Sequence, residues 1–389
     1  MTLLSLAWAN LLRDKLAAAL NTALMAIGIA TIVLLLLFGH HLQERMRGDA
    51  AGIDLVIGAK GSPSQLVLSA IYHADIPTGN IPLAEAQRWA EHPMVRTAVP
   101  QALGDSWRGF RIVGTTAAYP ALYAADVREG RLWQEPGEAT IGAAVAASGL
   151  TLDDHFSGVH GFSPEGHVHG DSRYRVVGVL EATGTVIDRL ILTSVESVWA
   201  VHGTADPTDP EITTLLIDYA TPFAATTLPR LVNSQSQLQA AAPAVQTNRM
   251  LQLLGVGIDG VRAFAWLLVV SAGLGVFIAL YHALEARRYE LALLRCLGAT
   301  RWEVLVSLVV EGVLLSLAGT LFGIFVGHLV AELAGQWLGF AATEGLTGWQ
   351  WLPAETALLL YGTAIGALAA LVPAIRAYRR DVTTVLKSA

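Results

Sequence analysis

The densest collection of metal-ligating side chains lies at Asp153–Asp171 (DDHFSGVHGFSPEGHVHGD). There His155, His160, His167 and His169 are interleaved with Asp153, Asp154, Glu165 and Asp171. His167 and His169 can present two imidazoles side by side, and His155 and His160 would complete a tetrahedral Zn²⁺ shell. Neutral imidazoles favour Zn²⁺ or Cu²⁺ over Ca²⁺ or Mg²⁺, which want oxygen ligands. The spacing fits no closed structural zinc motif. Two readings therefore stand: a labile or sensing Zn²⁺ site, or a solvated, glycine-rich hairpin tip that contains histidines. Other chemistry finds little support. No G-x-x-x-x-G-K-[ST] occurs, and Gly58-Ala59-Lys60-Gly61-Ser62 has the wrong spacing to cradle phosphates. Neither H-E-x-x-H nor G-x-S-x-G is present, so no catalytic residue is expected and any ATP hydrolysis falls to a partner.

A second constellation is electrostatic and mechanical. Glu285–Val304 reads EARRYELALLRCLGATRWEV and sits between two apolar runs. Its helix formers from Glu285 to Leu297 include Glu285–Arg288 and Arg287–Glu290 at i,i+3 spacing. Gly298 stands where a left-handed C-cap is wanted, and Thr300 with Glu303 forms a capping box that opens the next helix. The stretch thus reads as a short helix tied at a fixed angle to a membrane helix, a lever. Arg287, Arg288, Arg295 and Arg301 place it on the cytoplasmic face. An ordinary basic loop obeying the same charge rule is the alternative.

The pattern Arg287-Arg288-x-Glu290-x-Ala292-x-x-Arg295-x-x-Gly298-Ala299 resembles the coupling-helix signature of ABC-transporter permeases of the MacB/FtsX/LolC class. The resemblance implies that Glu285, Arg287, Arg288, Glu290, Leu291, Leu294, Arg295, Gly298 and Ala299 dock on a separate or fused ATPase. Ala7, Asn10, Leu11, Arg13 and Lys15 are similar to the start of these permeases, and Pro373-Ala374 with Arg376-x-x-Arg379-Arg380 through Leu386 to their ending. Arg173–Leu180 (RYRVVGVL) resembles part of their periplasmic domain. Ile57–Pro82 looks like a subgroup linked to metal homeostasis.

Elements must hold these residues in place, and hydropathy supplies them. With 389 residues and few charges, the chain reads as a membrane protein with a substantial soluble part. Apolar runs at Leu16–Phe38, Ala263–Leu284, Val304–Leu333 and Thr356–Val372 are long enough to span, the last only just. The first is longer than a signal-peptide core and is followed by no small-x-small site, which makes it a retained anchor. Arg13 and Lys15 precede the first run, while Arg376, Arg379, Arg380 and Lys387 follow the last. Ala334–Pro353 carries no Lys or Arg. Both termini and the lever are therefore expected in the cytoplasm. The net charge of −7 speaks against nucleic-acid binding.

The fold class expected is an α+β membrane protein: four transmembrane helices, with a large extracytoplasmic α/β domain on a helical stalk between the first and second. By residue, 1–15 form an amphipathic cytoplasmic helix, 16–38 the first span, 39–260 the outer domain with its stalk, and 261–284 the second span. Residues 285–303 form the coupling helix, 304–333 the third span, 334–353 an outer connection, 354–375 the fourth span and 376–389 a tail. The stalk comprises His40–Gly48 and a glutamine-faced helix over Leu228–Ile258, which Pro243 should kink or break. Arg173–Leu180 alternates as a half-buried strand should. Gly319, Gly323 and Gly327, with Gly362 and Gly366, form small faces for close helix packing within the protomer or at a homodimer seam. Glu311, inside the third span, is costly enough to count as a functional candidate, most simply by bonding to the lever. Trp337, Trp349 and Trp351 read as an outer aromatic belt. Cys296, the only cysteine, reads as a small buried side chain.

The function that the resemblance implies is that of a non-ATPase permease subunit in the bacterial inner membrane, paired with two ATPase subunits and dimerised through the membrane. Its output would be export with a periplasmic adaptor, mechanical activation of an envelope hydrolase, or Zn²⁺ handling through the histidine loop.

Overall fold

The computed structural model describes residues 7, 9, 13, 15–161, 173–202, 210–337 and 347–379. Internal contacts divide the chain into a helical unit, running through His41 and resuming at Gly255, and an α/β unit at Leu42–Leu254.

Among the described residues, the helical unit has four helices long and apolar enough to cross a membrane: Lys15–Asp49, Pro243–Ala286, Arg301–Trp337 and Pro353–Arg379. Helix packing here has no hydrophobic driving force and relies on close backbone approach. The third helix supplies that on two faces. A Cβ at Gly323 would lie 2.7 Å from the Ala26 carbonyl, so the stripe Gly319, Gly323 and Gly327 seats the first helix. On its other side, Gly312, Ser316 and Thr320 meet Gly366 and Gly362 of the fourth. The small faces are thus used inside one protomer. Met25, Ile29, Val33 and Leu37 fill the centre against Val269, Ala272 and Ile324.

In the α/β unit the strands among the described residues are β1 (Leu55–Ala59), β2 (Ile81–Pro82), β3 (Val95–Trp107), β4 (Phe110–Thr115), β5 (Val127–Gly130), β6 (Glu138–Ile141), β7 (His155–Phe156), β8 (Val159–His160), β9 (Tyr174–Leu180), β10 (Leu190–Ser194), β11 (Glu211–Ile212), β12 (Thr214–Tyr219) and β13 (Leu238–Ala241). The main sheet runs β13-β1-β12-β3-β4-β10-β6-β9-β5. The β10–β4 and β6–β9 pairs are parallel. Strand β3 is long enough to serve both halves, pairing β12 through Val95–Gln101 and β4 through Ala102–Trp107. Period-two alternation sends Leu55 and Ile57 of β1 to one core and Val56 to the other. A strand covered on both faces reads as a continuous apolar run.

Three expectations are corrected. The helix read over Leu228–Ile258 is instead the end of a helix at Ala224–Gln235, strand β13, and a new helix opening at Pro243. Leu238 and Ala240 are buried in the sheet, and Pro243 starts a helix because its missing N–H is unneeded in the first turn. Strand β9 is not half-buried: after Arg175 every residue is buried, since elements cover both faces. The helix read over Glu285–Leu297 breaks at Arg287, leaving a separate helix at Arg288–Cys296.

Candidate coupling site and its anchors

The short helix Arg288–Cys296 is held at both ends by local chemistry. Gly298 adopts φ +105°, where a side chain would be strained. Its N–H donates to the Arg295 carbonyl at 3.2 Å, and that of Ala299 to Leu294 at 3.0 Å, the paired bonds of a Schellman cap. The next helix opens on a reciprocal capping box. The Thr300 N–H donates to Glu303 Oε2 at 2.7 Å, and the Glu303 N–H to Thr300 Oγ1 at 3.2 Å. Two caps separated by one residue give the connection few ways to bend.

Long-range contacts then fix it to the bundle. The break at Arg287 turns its guanidinium toward Glu311 on the third helix, 3.6 Å away, with both side chains largely buried. A buried carboxylate in a membrane helix needs such a partner. Leu291 packs beside Leu284, Val304 and Leu308. Glu290 takes Arg13 at 2.9 Å in an exposed ion pair, tying the start of the chain to the short helix. Glu285 and Arg295 are half-buried and also engaged, while Arg288 is exposed.

The outward side is apolar. Tyr289, Leu293, Leu294 and Leu297 are exposed. Of these only Leu294 stands among the residues read from the sequence. The cue to the others was the helical spacing Tyr289–Leu293 and Leu293–Leu297, which places them along one face. Cys296 is exposed too, not buried: it is the last residue of this helix, one turn beyond its single buried side chain, Ala292.

Anchors in the α/β unit complete the arrangement. The last turn of the first long helix ends at Asp49, which is buried. Its Oδ1 accepts the Val186 N–H at 2.6 Å, with Arg45 and Arg189 each 3.9 Å from its other oxygen. Tyr123 donates to the Asp49 carbonyl at 2.7 Å. The first turns of the second long helix are held by Tyr72, 2.5 Å from Thr247 Oγ1, and by Ser64, which donates to Gln246 Oε1 at 2.9 Å. Both helices that leave the bundle are therefore bonded into the domain's fold.

The candidate metal ligands are only partly described. His155 is an exposed residue of β7, and the His160 backbone pairs with Asp105 in β8. His167 and His169 lie outside the described residues. Among the described residues no group of three or more His, Cys, Asp or Glu side chains is placed to hold a metal. His202 lies 3.3 Å from Asp105, whose hydrogen bond holds the imidazole above its ordinary range. The sequence reading passes over Asp49, His328 and Glu355, all buried.

Two family models match this chain: a MacB-like periplasmic core domain over residues 18–246 and an FtsX-like permease C-terminal part over residues 262–382. The pyoverdine export ATP-binding/permease protein PvdT of Pseudomonas entomophila (strain L48) is 25% identical over 423 residues, covering 99% of this chain and 59% of that protein. The uncharacterized ABC transporter permease YknZ of Bacillus subtilis (strain 168) is 28% identical over 127 residues, 33% of this chain and 30% of its own. The chain thus spans 59% of the length of the first of these relatives. The crystal structure of the periplasmic region of MacB from Actinobacillus actinomycetemcomitans aligns with a TM-score of 0.35 and 13% identity, covering 52% of this chain and 95% of that one.

Proposed function

The chain belongs to the family of ABC-transporter permeases with a MacB-like periplasmic core and an FtsX-like C-terminal part, and from that premise we propose that it transmits ATP-driven motion of a partner ATPase to its extracytoplasmic domain. The observation that carries this reading is the short helix Arg288–Cys296: capped at one end, ion-paired to the bundle at the other, and apolar on its outward side. A rigid helix with an exposed apolar face rimmed by charge is what a docking partner needs in order to push. Hydrolysis lies outside these 389 residues, which carry no phosphate-cradling loop. Two ATPases would engage two copies of the chain, with termini and short helix in the cytoplasm as the arginine distribution favours.

The work done is envelope export, in keeping with the export named for the PvdT relatives; activation of an envelope hydrolase is the competing output, told apart by the partner that co-purifies. The mechanical claim is tested in vesicles reconstituted with the ATPase. Arg295→Glu and Gly298→Pro should each abolish stimulation of ATP hydrolysis by the permease while leaving it inserted and folded. Unchanged stimulation in both variants would remove the short helix from the mechanism.

A further inference from the structure

At the end of the helical unit opposite the short helix, Thr347–Leu352 form a strap between the third and fourth long helices. Every part of it is gripped. The third helix holds Gly348, whose N–H donates to Glu332 Oε2 at 2.8 Å. A Cβ at Gly348 would strike the His328 carbonyl and the Glu332 amide, so only glycine lets the strap lie this close. The first helix contributes His41, whose Nε2 donates to the Thr347 carbonyl at 3.0 Å, and His40, 3.1 Å from the Gln350 amide. The fourth contributes Glu355, whose Oε1 accepts the Leu352 N–H at 3.0 Å.

His328 lies at the centre of this grip. Its Nε2 faces Glu355 Oε2 at 2.8 Å, and its Nδ1 faces the Gly348 carbonyl. Both side chains are buried, Glu355 completely. A neutral imidazole has one N–H and can satisfy only one of those two acceptors. Both contacts are met only when the pair holds one further proton, either as an imidazolium on a carboxylate or as a neutral imidazole that accepts from a protonated Glu355. The rings of Trp349 and Trp351 stack on the imidazole at 6.1 and 6.3 Å, with interplanar angles of 8° and 19°, and π faces favour a cation.

We propose that His328 and Glu355 form a buried proton-binding site, imidazolium on carboxylate, that latches the strap to the third and fourth helices. When the proton leaves to water, one ring nitrogen keeps its hydrogen on Glu355 and the other turns a lone pair toward the Gly348 carbonyl. Two acceptors then oppose each other, and the strap lets go. The other titratable groups around the strap are His40 and His41 on the first helix and Glu332 on the third.

The test uses the full chain in lipid nanodiscs, with ¹⁵N-labelled histidine, from about pH 5 to pH 9. His328 is assigned by the signal missing from His328→Gln, and exchange of the strap amides is followed on the same samples. With the latch closed, His328 gives an imidazolium signal and the Gly348 and Leu352 amides are protected. As pH rises, the signal turns neutral and exchange, corrected for its intrinsic rate, increases by about tenfold, the factor that one lost buried hydrogen bond is worth. The buried turns of the third and fourth helices keep their protection. Glu355→Gln should remove the pH step; should it fail to fold, the wild-type series decides alone. A neutral His328 beneath a protected strap, a flat exchange profile, a step that survives Glu355→Gln, or loss of protection throughout the bundle each overturns the proposal.

Discussion

His73 is buried in the α/β unit, with its Nε2 3.0 Å from the Tyr119 hydroxyl. Burial first, then the charges of Arg111 and Arg189, push it down to about 3. Its folded value lies below its unfolded one, so between the two the unfolded chain holds a proton that the folded chain refuses. The stability it supports is complete above the unfolded value and is lost as pH falls, with a slope of up to about 1.4 kcal/mol per pH unit. His202, raised by Asp105, contributes in the opposite sense, its share fading as pH rises. Exchange of the β1 and β12 amides in the full chain should therefore lose protection between about pH 7 and pH 4, and His73→Gln should flatten that loss. Parallel curves would mean that another group sets the acid limit. Which residues were legible follows from how far away their partners lie. Gly298, Thr300 and Glu303 act on neighbours within five residues, and the chain spells their roles out. Glu311 stood out because a carboxylate interrupts an apolar run. Glu355, two residues after Pro353, looks like any acidic first-turn residue, and its partner His328 is 27 positions away. Asp49 reaches Val186 across 137. Only the fold brings such pairs together.

Elements were legible where period and length agreed, and misread where a local cue had two meanings. Pro243 signals either a broken helix or a helix start, and the strand before it decided for the start. RYRVVGVL begins with alternation but ends in Val176–Leu180, a run better suited to a strand covered on both faces. The glycines of the third and fourth helices promised close packing, but spacing alone does not say against what. Their neighbours do. A Cβ at Gly366 would overlap Ser316 Oγ and lie 2.5 Å from the Gly312 carbonyl, both on a helix that cannot retreat without loosening its contact with the first. Gly366→Ala should therefore destabilise the bundle by about 1–3 kcal/mol, the usual cost of overpacking. Gly257→Ala, at a site with nothing within 4 Å, should be neutral or slightly stabilising, since glycine weakens a helix. Thermal unfolding of both variants in the same detergent checks the contrast. Equal midpoints would show that the third and fourth helices pack less tightly than these distances require.

At the scale of the whole molecule, the division into membrane and soluble parts was legible from hydropathy alone, with the outer segment read as 39–260 and the α/β unit found at Leu42–Leu254. The stalk read over His40–Gly48 is the end of the first long helix, which runs on to Asp49; what hydropathy does not reveal is that the second long helix reaches back only to Pro243 and that the outer ends of both helices are hydrogen-bonded within the α/β unit. Such a helix transmits displacement only while its backbone hydrogen bonds are unbroken. The second helix passes the unit boundary through Gly255, Gly257 and Gly260, where an added Cβ would meet nothing within 4 Å, so these three positions lend it no side-chain packing and rely on the backbone hydrogen bonds. Proline at this point removes one helical bond and clashes with the preceding turn, at a cost of about 3 kcal/mol. On the proposed coupling, Ile258→Pro should therefore leave the short helix Arg288–Cys296, and the stimulation of ATP hydrolysis proposed for it, intact while abolishing any ATP-dependent change in hydrogen exchange of the α/β unit. Replacing the three glycines by alanine stiffens the same segment and should preserve or enlarge that change. If the proline variant still responds to ATP as the wild type does, the signal does not travel along this helix, and the first helix, anchored through Asp49, must carry it.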